Sequence, residues 1–291
     1  MLRLAIPKGS LEKPTLQLFE DADLHVRRSS DVEYKATIDD PRVDDVAVLR
    51  PQEIPDYVAD GLFDVGIAGR DSIDECGRDV VSLGVLRYSR ATDRPFNIVL
   101  AVAQDSPYQR VEDLPDGVRV STEWVRMTER FLEDRGVKAV VRYSYGATEA
   151  KIPDVADAIV EGTETGRALR AAKLRVLDTI VESYTEIIAN REAYEDPVKR
   201  KAMEQLHVLL QGALEARDKV LVKLNVSRED LDRVIELVPS MKSPTVNELF
   251  GGSGYAVETV VAKSDINILI PALKDAGATD IIELPLSKIV H

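Results

Sequence analysis

Short apolar runs alternate with amphipathic stretches through the first two thirds of the chain, a rhythm that predicts strands alternating with helices. The apolar runs at 2–6, 24–26, 46–49, 65–68 and 80–86 are strand candidates, and the helical periodicity lies at 11–21 and 52–60 between them. A second series, 97–103, 118–121, 137–143 and 158–160, carries a helix at 123–135. It follows the polar segment Arg90-Ala-Thr-Asp-Arg-Pro95, which reads as a crossover. The chain then returns through 175–188 and closes the first series with a helix at 197–217. Alternation of this kind argues for parallel α/β sheets. Two such lobes, 1–92 with 178–212 and 93–177, joined by two crossovers, leave a cleft in which ligands commonly sit.

From Lys219 the rhythm changes to a βαββαβ order: strand 220–225, helix 229–237, strands 246–249 and 256–262, helix 266–276 and strand 280–284. Gly251-Gly-Ser-Gly254 suits the hairpin loop between the two middle strands. Residues 213–291 therefore form a ferredoxin-like module.

Composition narrows the function classes. The 291 residues are 44% apolar and 31% charged, which describes a globular chain and leaves room for a buried core. A net charge of -13 argues against nucleic acid as partner, because binding a phosphate backbone needs a basic surface. Polyanionic substrates would have to be met by local cations and metal. The single cysteine, Cys76, allows no intrachain disulfide and agrees with a reducing cytoplasm. The first strand starts at once, without the long apolar region of a signal peptide, and no apolar run approaches the roughly 20 residues that span a bilayer. His25, His207 and His291 are far apart, so no zinc site is expected.

The densest chemistry lies in Asp157-Ala-Ile-Val-Glu161-Gly-Thr-Glu-Thr-Gly166-Arg-Ala-Leu-Arg170. A short buried strand at 158–160 runs into a polar loop, and a helix begins at Arg167. Backbone N–H groups at such a turn, the hydroxyls of Thr163 and Thr165 and the charge of Arg167 suit a phosphate. Glu161 and Glu164 would repel a bare phosphate. They make sense if the ligand also carries hydroxyls or a bound Mg²⁺, as a ribose 5-phosphate bearing a magnesium pyrophosphate does. The alternative is an N-capped helix with solvated acids.

This loop resembles the phosphoribosyl-diphosphate loop of ATP phosphoribosyltransferase, the first enzyme of histidine biosynthesis. The resemblance continues through Leu4-Ala-Ile-Pro-Lys-Gly-Ser-Leu11, Leu49-Arg-Pro-Gln-Glu-Ile54, Asp64-Val-Gly-Ile-Ala-Gly-Arg-Asp71 and Gly146-Ala-Thr-Glu149. Met241-Lys-Ser-Pro-Thr-Val246 and Ala256-Val-Glu-Thr-Val-Val261 resemble the C-terminal domain of the family's long form. The resemblance implies a fold like type II periplasmic binding proteins followed by a regulatory, ACT-like domain. One departure stands in the loop: Ala168 occupies a place where the family usually has a hydroxyl residue.

The resemblance implies that Gly162, Thr163, Glu164, Thr165, Gly166 and Arg167 hold phosphoribosyl diphosphate, and that Glu161, Asp157 and Lys8 serve the chemistry. Lys8 and Arg50 each follow a strand, where a cation could meet a pyrophosphate or polyphosphate. Arg50, Glu53 and Asp71 are the expected ATP contacts; Glu53 could instead pair with Arg50 or start a helix, and Asp71 could cap one. Glu149 and Asp157 could hold water on Mg²⁺, or be structural partners of Arg142 or Lys151. Ser243 and Thr245, in a proline turn, are candidates for a histidine carboxylate. No Gly-x-x-x-x-Gly-Lys-[Ser/Thr] motif is present to activate a γ-phosphate. That agrees with an ATP that reacts through its base. The implied reaction joins N1 of ATP to the phosphoribosyl group with Mg²⁺, inhibited by histidine in a homohexamer. The rival class is a binding module of the same two-lobed fold, disfavoured by the acid-rich phosphate loop.

Overall fold

The first strand, β1 (Leu2–Pro7), is apolar at five of its six positions and buried at nearly all of them, as an interior strand covered on both faces must be. In the computed structural model, which describes residues 1–30, 33–88, 96–239 and 243–291, the chain divides into two compact units, Met1–His207 and Val208–His291. The expected crossover Arg90–Pro95, and Met241 and Lys242 of the C-terminal turn, lie outside the described residues.

In the first unit β1 is followed by α1 (Glu12–Asp21), the short strands β2 (Val26–Arg27) and β3 (Lys35–Ile38), and β4 (Val43–Leu49). Then come α2 (Ile54–Ala59), β5 (Val65–Gly69), α3 (Arg70–Cys76) and β6 (Val81–Leu86). The second series holds β7 (Phe96–Ala103), β8 (Val118–Thr122), α4 (Val125–Glu133), β9 (Ala139–Tyr143), β10 (Ala158–Thr163), α5 (Arg167–Ala171) and β11 (Leu174–Ser183). The chain returns with β12 (Thr185–Ala189), α6 (Arg191–Glu195) and α7 (Pro197–Ala216), the last running across the division between the units.

Two sheets result, ordered β2-β3-β4-β1-β5-β12-β6 and β11-β7-β10-β8-β9. They are mixed, where the alternation predicted parallel ones. The reason is connectivity. Within each series β4, β1 and β5, or β9, β8 and β10, pair parallel. The strand that follows the passage between series, β7 or β12, enters antiparallel beside the third. The same four-strand order thus occurs twice, which is the two-lobed plan of type II periplasmic binding proteins.

The return stretch 175–188 had no assigned elements from its sequence, and it is two strands. Its register with β7 shifts twice, between Val176 and Asp178 and between Thr179 and Val181, so no period of two marks β11. A large apolar cluster including Ile98, Leu100, Val120, Trp124, Phe131 and Val160 fills the second lobe.

Asp64, just before β5, is almost fully buried and accepts from Arg3 (backbone N 2.8 Å, Nη2 3.2 Å) and Lys199 Nζ (2.9 Å). Burial pushes this carboxyl up, but hydrogen bonds from Arg3 and Lys199 outweigh it and hold the pKa below the ordinary carboxylate value. A depressed folded pKa gives stability that is present above the unfolded pKa and lost as the pH falls through the folded one. Asp64→Asn removes the buried carboxylate that accepts from the partly exposed Arg3 and Lys199 and should cost about 2 kcal/mol in urea unfolding at neutral pH. The deficit should shrink towards pH 3.

In the second unit β13 (Lys219–Val226), α8 (Leu231–Leu237), β14 (Thr245–Glu248), β15 (Tyr255–Ala262), α9 (Ile266–Asp275) and β16 (Thr279–Pro285) follow in order. Alternate residues of β13 are buried, the expected pattern for a sheet with helices on one face. The sheet order β14-β15-β13-β16 with antiparallel neighbours is ferredoxin-like. Gly251 and Gly252 take positive φ (82° and 70°) in the β14–β15 hairpin, which is what the glycine run provides.

Candidate functional site

Across the second sheet Thr122 pairs with Tyr143 on one side and Val160 on the other. Glu123, Ser144 and Glu161 are therefore the next residues of three parallel strands and share one edge, roughly 5 Å apart from strand to strand. In the first sheet Pro7 pairs with Leu49, so Lys8 and Arg50 likewise leave adjacent strands at their carboxyl ends. Carboxyl edges of α/β sheets are where ligands bind.

The two edges are tied together beside α3. Trp124 Nε1 donates to Asp71 Oδ2 (3.2 Å), and Ser183 Oγ donates to Asp71 Oδ1 (2.6 Å) while accepting from the Asp71 N–H (3.1 Å). Glu75 accepts from the backbone N–H groups of Arg126 (3.0 Å) and Met127 (2.9 Å), so an acid of the first lobe caps a helix of the second. The resemblance implied that Asp71 contacts ATP. Here both of its carboxylate oxygens are buried and engaged in joining the lobes.

The signature stretch differs from its sequence reading in one respect. β10 continues to Thr163, so Glu161, Gly162 and Thr163 are strand residues opposite Val99, Ile98 and Asn97 rather than loop. Gly162 is needed for packing: a Cβ there would lie 2.1 Å from Cζ of Phe96. The loop proper is Glu164 to Gly166. Thr163 Oγ1 accepts from the Gly166 N–H (2.7 Å), which closes the turn and leaves the threonine proton to donate. Gly166 caps α5 with φ of 67°, a left-handed conformation that suits glycine. Thr165 and Arg167 are exposed at the turn. Helix α5 has only five residues, so its dipole is weak, and donors from the turn carry any phosphate contact.

Glu161 is half-buried at this edge. Burial pushes its pKa up; the Gly162 N–H, 3.2 Å from Oε1, and the Thr148 hydroxyl oppose that, and the charges of Glu123 and Glu149 raise it further. Glu161 and Glu123, from two strand ends, and Glu149, from the short 3-10 turn Thr148–Lys151, thus share one field. The sequence reading missed Glu123, which it placed inside a helix; α4 starts only at Val125, after Trp124. It also missed Thr148, although that residue stands in the Gly146-Ala-Thr-Glu149 block.

Asp157 is not brought to this edge. It precedes β10, about 13 Å along the strand from Glu161 at 3.3 Å per residue. Arg119 holds both its oxygens (Nε–Oδ2 3.0 Å, Nη2–Oδ1 2.6 Å), and that guanidinium keeps its pKa below the ordinary aspartate value. Its partner is neither Arg142 nor Lys151. Lys8 is half-buried with Nζ 4.4 Å from the ring centroid of Tyr34. Arg50 and Glu53 are exposed on the same edge, with Glu53 N–H bonded to the Arg50 carbonyl (3.0 Å). In the second unit Ser243 and Thr245 are both exposed, and Thr245 opens β14 opposite Glu258. Cys76 is buried and donates to Asp56 Oδ1 (3.3 Å); burial raises its thiol pKa, as for an unreactive structural cysteine.

A family model described as ATP phosphoribosyltransferase matches residues 50–212, and one described as HisG, C-terminal domain, matches residues 216–288. The chain belongs to the ATP phosphoribosyltransferase family. Curated ATP phosphoribosyltransferases from Pelotomaculum thermopropionicum and Desulforudis audaxviator are each 47% identical over 99% of this chain and 99% of their own. A solved structure, the ATP phosphoribosyl transferase (HisG:HisZ) complex from Thermotoga maritima, superposes with a TM-score of 0.63 at 26% identity. It covers 74% of this chain and 99% of that one. The chain is thus an ATP phosphoribosyltransferase-family enzyme, a transferase of histidine biosynthesis. Among the described residues no helix is long and apolar enough to cross a membrane.

Proposed function

We propose that this chain transfers the 5-phosphoribosyl group of phosphoribosyl diphosphate to N1 of ATP, giving phosphoribosyl-ATP and pyrophosphate. The observation that carries the reading is Glu161, a half-buried carboxylate at the carboxyl edge of β10 with the Thr163–Arg167 turn directly after it. The turn takes the 5-phosphate through Thr163, Thr165, Arg167 and backbone N–H groups, and Glu161 faces the ribose. As the C1′–O bond breaks, pyrophosphate leaves with the electron pair and positive charge builds on the ribose; a nearby carboxylate stabilises it. The N1 lone pair forms the new bond to C1′, so no general base is assigned. Alignment of two substrates supplies much of the rate.

Asp157 has no part in this scheme, because Arg119 occupies it. The cations Lys8 and Arg50, at the facing edge, take the polyphosphates, with Glu53 beside Arg50. Mg²⁺ bound to the diphosphate would supply charge neutralisation of the leaving group, beside the cations Lys8 and Arg50. Among the described residues no three His, Cys, Asp or Glu side chains gather to hold a metal, and Mg²⁺ is commonly held by substrate phosphates and water.

Mixing the pure protein with ATP, phosphoribosyl diphosphate and Mg²⁺ should yield phosphoribosyl-ATP, followed by its absorbance, with the triphosphate intact. Cleavage of ATP, or no product, would contradict the reading. The C-terminal match supports histidine inhibition in a homohexamer through the second unit, with Ser243 and Thr245 as candidate contacts. Histidine should inhibit without competing with ATP, and removal of residues 213–291 should abolish the inhibition. Inhibition that persists in a folded, active truncation would leave that unit an assembly domain.

A further inference from the structure

Helix ends carry backbone groups that the helix itself cannot satisfy, and where α3 meets α4 each end is completed by the other lobe. The side chain of Trp124 does not cap α4. The N–H groups of Arg126 (3.0 Å) and Met127 (2.9 Å) go instead to the Glu75 carboxylate, at the positive end of the helix, where an anion is most stabilising. In return, two carbonyls of the last turn of α3 accept from arginines of α4. Asp74 accepts from Arg130 Nη2 (2.5 Å) and Cys76 from Arg126 Nη1 (2.8 Å). One turn back along α3, Asp71 is held by Trp124 and by Ser183, just before the chain returns to the first lobe. The Arg70 N–H donates to the Tyr184 carbonyl in that return passage (2.9 Å). The helix is thus fixed at its start to the passage between lobes and at its end to α4.

These contacts stand next to both halves of the site. α3 follows directly on β5, which pairs with β1, the strand before Lys8. α4 follows closely on β8, which pairs with β10, the strand of Glu161. Fixing α3 to α4 therefore fixes the Lys8–Arg50 edge against the Glu161 edge. Two-lobed binding proteins commonly close about their passages when a ligand arrives. Here such a rotation would slide α3 along α4 and break the Glu75, Asp74, Cys76 and Asp71 bonds together. The two lobes also form one compact unit, Met1–His207.

We propose that this reciprocal capping locks the lobes, so that the cleft is set before either substrate binds, and that Glu75, Arg126 and Arg130 are positioning residues for phosphoribosyl transfer. The second half rests on the roles proposed for Glu161 and for the cations of the facing edge. Transfer joins atoms of two substrates held by groups of both lobes, so lobe alignment enters the rate directly. The 5-phosphate is held by the Thr163–Arg167 turn of one lobe, so affinity for phosphoribosyl diphosphate should change less than turnover.

Spin labels at Leu62→Cys and Lys138→Cys, in a full-length Cys76→Ala background, report the distance between lobes by double electron–electron resonance. Both positions are exposed and precede β5 and β9 at their amino ends, away from the cleft. Adding phosphoribosyl diphosphate or ATP, each with Mg²⁺, should move the mean distance by less than about 3 Å; a larger shift would reveal a closing hinge and overturn the lock. Glu75→Ala should broaden the distance distribution about twofold and lower kcat about tenfold, with KM for phosphoribosyl diphosphate within about threefold. Glu75→Gln keeps an acceptor for α4 and should stay close to the unaltered protein in both respects. Arg126→Met with Arg130→Met removes the other half of the contact from exposed positions, and should reproduce both effects if Glu75→Ala does not fold. An unchanged distribution in these variants would sink the lock, and broadening without loss of kcat would overturn the positioning role. A protein that makes no phosphoribosyl-ATP fails the assigned reaction, and the distances then decide the lock by themselves.

Discussion

Glu161→Gln should lower kcat by about a hundredfold while leaving the affinity for phosphoribosyl diphosphate nearly unchanged. The substitution keeps size and one acceptor oxygen, which can still receive the Gly162 N–H, but removes the charge that meets the developing cation on the ribose. Ground-state binding depends on the phosphate turn, which follows Glu161 without using its carboxylate. The pH profile gives an independent reading. Burial and the neighbouring Glu123 and Glu149 push the Glu161 pKa above the ordinary glutamate value. A carboxylate that is required ionised then makes kcat/KM fall on the acid side at a pH above that value. The acid limb should vanish in Glu161→Gln. A variant with full turnover, or with the same acid limb, would remove Glu161 from the mechanism.

Gly166→Val should abolish measurable binding of phosphoribosyl diphosphate, weakening it by at least about a hundredfold, or roughly 2.7 kcal/mol. The glycine sits at φ of 67°, where a β-branched side chain is strongly disfavoured. A Cβ would lie 2.9 Å from Arg170 Nη1, the movable end of a long side chain, so the obstacle is the backbone conformation and not space. To relieve it the turn must open, which breaks the Thr163–Gly166 bond and scatters the phosphate donors. The turn lies outside the apolar cluster of the second lobe, so circular dichroism and thermal melting should report a folded protein. Isothermal titration with phosphoribosyl diphosphate and Mg²⁺ checks it; normal affinity in the folded variant would move the phosphate site elsewhere.

Much of the architecture was legible in the sequence because buried strands announce themselves. β5 and the second half of β4 are continuous apolar runs, β1 is broken only by Arg3, and the period of two along β13 betrays a half-covered sheet. What escaped depends on distant partners. β11 carries two register shifts, which no local pattern encodes. β7, reversed between β10 and β11, is the strand that turns the sheet mixed. At the site, Glu161 and the glycine turn were read from residue types alone, because acids beside a phosphate loop need an explanation. The extent of β10 was not, since Glu161-Gly-Thr163 looks like loop until β7 is placed beside it. Asp157 looked equivalent to Glu161, but its role is decided by Arg119, 38 residues away. Asp71 is decided by Trp124 and Ser183, at separations of 53 and 112 residues.

The central claim is that the carboxyl edge of β10 and the turn after it bind phosphoribosyl diphosphate. A crystal structure of the full-length protein with phosphoribosyl diphosphate and Mg²⁺ tests it most directly. The account predicts the 5-phosphate on the Thr163–Arg167 turn, within hydrogen-bond reach of the threonine hydroxyls and backbone N–H groups, with ribose hydroxyls against Glu161. A ligand seated instead with its 5-phosphate on Lys8 and Arg50, and its ribose away from Glu161, would contradict it.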